Sequence, residues 1–386
     1  MLSHAVVSAL LLWRAALGYT PTISGTPQTL GLVQDPTINR DSCGSSRYGD
    51  RSLWVCRDSQ PYDSDGVPIL PIWSSSASWT DFESDGTPVL QEIDSPAGNR
   101  IGLLMYGESD EQPFYTYPAG LCSDNTAGAC ADGTRYALWP DQPPLVISAA
   151  SDDSVIAYAW VKQSHISSGL VSLDPDPPVI LYRVDYSLST TDSTELPKVT
   201  IVDEDFWTSD QFPYGTYGGV VKDDTAYLYG QNSAGNIGLA KVPIGSIEDK
   251  SAYQYYIDET WVGSNPGVNA SGLNIPNVSA GGQGTFYYSD VWDLHVWIGQ
   301  ASNSIVPDFY ITTCASPEGP WDTPTLFHSA PSGNTLFGGY SLQAHPSLHT
   351  NSTENAIYLS YTRPMINSDD VSFYTTPLIY LQWRES

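Results

Sequence analysis

The stretch Tyr217–Trp261 reads YGGVVKDDTAYLYGQNSAGNIGLAKVPIGSIEDKSAYQYYIDETW. Tyr217 to Val221 and Ala226 to Tyr229 are short apolar runs on either side of Lys222-Asp223-Asp224-Thr225, a polar turn. Two such runs joined by turn residues read as a β-hairpin. Gly238 to Val242 (GLAKV) continues the sheet, and Ile247 to Tyr253 after Pro243 is the one clear helical candidate, a single turn.

The same grouping recurs along the chain. Ser52–Arg57 (SLWVCR), Ile101–Tyr106 (IGLLMY), Leu145–Ser148 with Val155–Lys162, Val179–Val184, Gly284–Tyr288 with Leu294–Ile298 and Phe309–Thr313, and Tyr340–Ala344 with Ile357–Tyr361 and Ile379–Trp383 are all strand-like. Gly, Pro, Asn and Asp clusters separate them. Module starts fall near 50, 98, 145, 217, 283 and 340. A module of about four strands cannot bury both faces alone, so modules stack around an axis. One start belongs to a neighbour, and the expectation is an all-β, five-bladed β-propeller. A β-sandwich with long loops is the alternative. The segments 61–98, 110–143 and 262–282 then become rim insertions.

Residues 1–18 read as a secretory signal, 19–45 as a lead-in and 46–386 as a single propeller domain. The apolar run Ala5–Trp13 is too short to span a bilayer, and Ala16 and Gly18 are small residues at cleavage spacing. The C-terminal residues Gln382–Ser386 are polar, so no lipid-anchor tail is expected. Cys43 and Cys56 could close one local bridge and Cys122 and Cys130 another, leaving Cys314 unpaired. Asn269, Asn277 and Asn351 each open a glycosylation sequon. The expected location is extracellular.

The chain carries 43 acidic and 15 basic residues, a formal charge of −28. Nucleic-acid binding is excluded, because it rests on neutralising phosphates. Stable association with anionic membrane is excluded by the same argument. With 12 tryptophans and 25 tyrosines, the chain has the flat, hydrogen-bonding rings that stack on sugars. The acidity leaves calcium open. Yet the calcium-like Asp63-Ser64-Asp65-Gly66 lacks the closing glutamate, Ser74 standing there, so no metal site is assigned and no cofactor is required.

Tyr217–Trp261, together with GQGTFYYSDVWDLHVWIGQ from Gly282 and FYITTCASPEGPW ending at Trp321, resembles a secreted propeller family first known only as a domain of unknown function. Some of its bacterial relatives are glycoside hydrolases that cut D-arabinan, and the wider resemblance is to five-bladed furanosidases. The similarity runs from about Ser52 to the end. It implies a carbohydrate substrate and favours an early strand-end aspartate as a site residue. SPEGPW has its own structural meaning: Pro317 and Gly319-Pro320 fix a turn in which Glu318 can accept backbone N–H groups.

Glycosidic cleavage needs two carboxyls across the sugar. Asp58, directly after the strand Leu53–Arg57, is the first choice, with Arg57 alternating to the other face. Glu108 is the expected partner acid and Asp110 the alternative, since both follow Met105-Tyr106-Gly107. Gln60 and Tyr62 could contact sugar hydroxyls, and Tyr217 could serve as platform or donor. His345, before Pro346, suits a channel mouth. Arg363 could pair with Asp58 or with a uronate. His165 is a weaker candidate, while Asp290, Asp293, Asp152-Asp153 and Asp223-Asp224 read as hairpin turns. The leading expectation is a glycoside hydrolase acting on a polysaccharide or oligosaccharide, furanosides among them. The alternatives are a non-catalytic carbohydrate-binding propeller and a uronic-acid polysaccharide lyase using His345 or a tyrosine with Arg363.

Overall fold

The computed structural model describes residues 20–94, 99–107, 113–122, 128–149, 153–349 and 354–384. Its regular secondary structure is almost wholly β, with three short 3-10 turns among the described residues. The Tyr217–Trp261 stretch forms a five-stranded antiparallel sheet in sequence order: Gly218–Lys222, Thr225–Gln231, Ile237–Pro243, Gln254–Ile257 and Thr260–Val262. Lys222 pairs with Thr225 across a two-residue loop, and Asp223 and Asp224 both take positive φ, 48° and 56°. That is the left-handed pair a type I′ hairpin demands. The helical candidate resolves into two 3-10 turns, Ile244–Ser246 and Lys250–Ala252. Asp249 caps the second by accepting the Ser251 N–H at 2.9 Å.

Two more sheets repeat the meander with four strands each. One holds Leu145–Ala149, Ser154–Lys162, Val179–Ser187 and Lys198–Trp207. The other holds Gly281–Ser289, Leu294–Ala301, Asp308–Cys314 and Thr325–Ser329. A seven-stranded sheet begins with Tyr340–Ala344, Ala356–Ile366 and Pro377–Trp383. The N-terminal strand Ile23–Gln34 then adds antiparallel to Pro377–Trp383, so the lead-in region closes the last blade.

The five-blade expectation is corrected here. Four sheets have the four or more strands of a blade. The stretch read as the first module forms only a three-stranded sheet, Gly44–Tyr48, Arg51–Cys56 and Ser76–Thr80. Its next strand is diverted: Arg100–Leu104 runs parallel to Ile23–Gln34 and joins the seven-stranded sheet. Only an isolated bridge between Tyr106 and Trp79 ties that segment back. The start read near 98 is therefore an added strand on another blade. The sandwich alternative also fails, because the leading strands meet side by side around an axis. Gly44–Tyr48 contacts Leu145–Ala149, which contacts Gly218–Lys222, then Gly281–Ser289, then Tyr340–Ala344, and the turn Pro346–Leu348 returns to Gly44–Tyr48.

Gly44–Tyr48, Leu145–Ala149, Gly218–Lys222 and Gly281–Ser289, with the turn at Pro346 and Ser347, line a central cavity of about 560 Å³. Crowding there explains Gly218, where a Cβ would collide with the Phe286 ring of the neighbouring sheet. The core lies between sheets and is aromatic: Trp54, Trp79, Trp207 and Trp297 are fully buried. Burial of that kind stabilises by about 25 cal/mol per Å² of apolar area. Cys43–Cys56 bridges the start of one leading strand to the end of its partner, and Cys122–Cys130 closes a loop. Cys314 is buried and free.

Candidate active site

The site is built where the chain enters the leading strands. Asp41 stands two residues before Cys43, and Asp58 two residues after its disulfide partner Cys56. Main-chain bonds set them side by side: the Asp41 N–H donates to the Asp58 carbonyl at 3.1 Å, and the Arg57 N–H to the Asp41 carbonyl at 3.0 Å. Arg135, Trp139, Asp141 and Tyr340 contribute the rest.

Asp58 is anchored. Arg135 forks onto it, Nη2 to Oδ1 at 2.7 Å and Nη1 to Oδ2 at 3.3 Å, and the Trp139 indole N–H donates to Oδ1 at 2.8 Å. Such bidentate pairing fixes a carboxylate in place. Arg57 forms an ion pair with Asp141, just ahead of the strand Leu145–Ala149. Burial lowers the Arg57 pKa, and the nearby Asp41 charge opposes that effect.

Asp41 is different. Its Oδ2 accepts the Tyr340 hydroxyl at 2.8 Å, while its Oδ1 is buried without a hydrogen-bond partner. Burial pushes its pKa up to about 7; the charge of Asp58 adds to this, and Arg57, Tyr340 and Ser42 oppose it. The residue as a whole is only half-buried, although its free Oδ1 is itself buried. Burial, then the Asp41 charge, raises the Tyr340 phenol far above its ordinary value, so it stays a donor. The mouth thus holds one carboxyl that takes up a proton near neutrality beside two carboxylates pinned by arginines. Environments that separate the pKa values of neighbouring carboxyls are how acid and base roles are divided.

The other expected residues are placed as follows. Glu108, Asp110, the sequon at Asn351, Asp152 and the leader 1–18 lie outside the described residues. Gln60 pairs through its backbone with Asn39 in a short ladder. Tyr62 borders a small cavity with Asp35, Arg40 and Met105, and burial pushes its pKa up to about 12. Tyr217, 6% exposed, donates to Ser279 Oγ at 2.9 Å and to the Gly282 carbonyl, and packs edge-on against Phe286. It joins two sheets and offers no platform.

His345 is 0% exposed, hydrogen-bonded at Nδ1 to Ser45 Oγ (2.8 Å) and at Nε2 to Ser360 Oγ (2.7 Å), with the Trp54 ring 4.5 Å away. Burial drives its pKa down to about 3, so it is a neutral structural group. Arg363 donates to Thr375 Oγ1 at 3.1 Å, and Asp58 takes Arg135 as its basic partner instead. His165 stacks flat on Tyr136 at 4.3 Å. In the SPEGPW turn the Gly319 N–H goes to the Ser316 carbonyl, a bond expected for Glu318. Asn269 and Asn277 are exposed. Among the described residues no group of three or more His, Cys, Asp or Glu could hold a metal, and no helix is long and apolar enough to cross a membrane.

Asp41, Arg135, Trp139, Asp141 and Tyr340 escaped the sequence reading, and Arg57 was sent to the wrong face. One signal was available for Asp41: a Cys43–Cys56 bridge makes 41 and 58 symmetric about it.

No family model matches this sequence, and neither does any curated protein. Solved structures do match in fold. A candidate hydrolase from Bacteroides ovatus is 13% identical, with a TM-score of 0.55, over 91% of this chain and 87% of that one. A candidate exo-β-1,3-galactanase from Bifidobacterium bifidum is 11% identical, with a TM-score of 0.45, over 90% of this chain and 92% of that one. The exo-β-1,3-galactanase of Phanerochaete chrysosporium, with bound galactose, is 11% identical, with a TM-score of 0.41, over 93% of this chain and 64% of that one. The resemblance to the five-bladed family of D-arabinan-degrading relatives is corrected by the four-blade count. What the chain shares with known proteins is an all-β, propeller-like fold.

Proposed function

We propose that this chain is a glycoside hydrolase-type enzyme acting on a polysaccharide or oligosaccharide. The observation that carries the reading is the unpartnered Asp41 Oδ1, on a carboxyl that holds a proton near pH 7, beside two arginine-anchored carboxylates. Asp41 in its protonated form donates to the leaving glycosidic oxygen. Asp141, paired with Arg57 just ahead of the leading strand Leu145–Ala149, takes a proton from the attacking water. Asp58 raises the Asp41 pKa by its charge and holds Trp139, whose ring can take a sugar face. The fold likeness to the Bacteroides ovatus candidate hydrolase supports the architecture. Two disulfides and two exposed sequons support action outside the cell.

The test is hydrolysis of a panel of pyranoside and furanoside polymers and oligomers, scored by released reducing ends. Wild-type turnover that Asp41→Asn abolishes supports the assignment; turnover that survives it removes Asp41 from the chemistry. A non-catalytic binding role is the second reading, favoured by the ion pairing of both Asp58 and Asp141. It predicts binding without turnover across the whole panel. The lyase alternative loses His345 as its proton acceptor, because that ring is buried and neutral, and is left with a tyrosine.

A further inference from the structure

Beside the mouth lies a separate cleft of about 200 Å³, lined by Trp139, Asp141, Lys162, Ser164, Ser172 and Asp174. It has room for one sugar residue or its substituent. Its cation, Lys162, ends the strand Ser154–Lys162 and is half-buried. The Lys162 ammonium donates to the Gln231 carbonyl at 3.2 Å. Among the described residues it has no carboxylate within ion-pair distance, whereas Arg57 and Arg135 each have one. Burial pushes its pKa down to about 8, partly offset by Asp176 and reinforced by Arg57. A desolvated ammonium without a counterion is a costly arrangement that an incoming anion relieves.

The surrounding charges decide how that anion is received. Asp141 is matched by Arg57. Asp176 is occupied by Ser233, accepting its N–H at 2.7 Å and its hydroxyl at 2.5 Å. Asp174 takes the Asp176 N–H at 3.2 Å and, among the described residues lining the cleft, is the carboxylate without a cation on it, so it opposes an anion. Trp139 adds an aromatic wall, and its N–H is already spent on Asp58. The Ser172 hydroxyl is spent on the Asp174 carbonyl at 2.6 Å, so the ammonium, the Ser164 hydroxyl and the indole face make the place for a sugar that carries a negative charge.

We propose that this cleft is a subsite for an anionic sugar, its carboxylate or sulfate ester paired with Lys162. This rests on the hydrolase-type reading of the mouth and names its substrate class: an acidic glycan. Titrations of the full chain with D-galacturonic acid, D-galactose 6-sulfate and D-galactose, followed by tryptophan fluorescence or calorimetry, test it. Either acidic sugar should bind about 10-fold tighter than galactose, and the two acidic arms show whether carboxylate or sulfate is preferred. Lys162→Met should abolish that preference and Lys162→Arg should retain most of it. Asp174→Asn, which keeps the oxygen that accepts the Asp176 N–H, should widen it. Equal binding of the three sugars by the wild type, or a preference that persists in Lys162→Met, overturns the subsite. If neutral glycans are still hydrolysed in an Asp41-dependent way, the hydrolase reading stands without it. Failure to bind any of the three sugars overturns the subsite as well, and the turnover panel then judges the mouth alone.

Discussion

Asp41 and Asp58 sit edge to edge on adjoining segments, and the main-chain bonds that join them leave only one of the two carboxyls with a basic partner. Arg135 and Trp139 close on Asp58, while the Tyr340 hydroxyl closes on Asp41. Division of labour at the mouth follows from that unequal provision.

Asp41→Asn should lower turnover by about 10²–10⁴-fold, the range for removing a general acid. Substrate affinity should change much less. Initial rates and KM on any hydrolysed glycan separate the two effects.

The same variant should alter the dependence of stability on pH. The folded-state pKa of Asp41 is raised to about 7, above its ordinary value of 3.8, so the folded protein binds the extra proton. This group's contribution is therefore favourable at low pH and is lost as pH rises from about 4 to 7. Urea unfolding across that interval should show the difference between Asp41→Asn and wild type moving in favour of the variant as pH rises.

His345 carries the opposite sign. Its folded-state pKa falls to about 3 from 6.5, so the folded protein favours the neutral ring, and stability is lost as pH drops through that interval. His345→Gln should remove this acid sensitivity and cost about 1–3 kcal/mol at neutral pH by breaking the Ser45 and Ser360 bonds. Activity per folded molecule should hold. A selective collapse of turnover in a folded His345→Gln protein would assign the ring to chemistry.

Arg135→Met should destabilise by about 2–4 kcal/mol, since it strands a half-buried carboxylate. Adding Asp58→Asn should recover part of that loss. A double-mutant cycle by thermal or urea unfolding measures the coupling, and strict additivity would mean the fork contributes nothing.

Replacing Cys43 and Cys56 by serine should cost about 3 kcal/mol, and should depress turnover more than loss of Cys122–Cys130. The first bridge lies next to both Asp41 and Asp58; the second closes a loop of its own. Melting temperature and rate, measured for each pair, give the comparison.

Hairpins were the legible part of this chain. Asp223-Asp224 announced a hairpin turn, which the structure shows to be left-handed, and the starts near 145, 217, 283 and 340 became the leading strands of the four blades. The start near 98 misled because local pattern cannot reveal that Arg100–Leu104 pairs with a strand from the N-terminus. At the site, strand-end logic reached Asp58 but not its partners. Arg135 and Trp139 belong to an irregular insertion whose aim depends on tertiary packing. Tyr217 and His345 were mistaken for mouth residues because alternation says which residues share a face, and not whether that face meets the channel or the next sheet.

Ile23–Gln34 and Pro377–Trp383 zip together from the first and last strands of the fold. The ring accordingly cannot latch until its last strand has been synthesised, and an early strand edge stays open to other chains for most of translation. A slow final docking step, and aggregation when either terminal strand is trimmed, are built into that architecture.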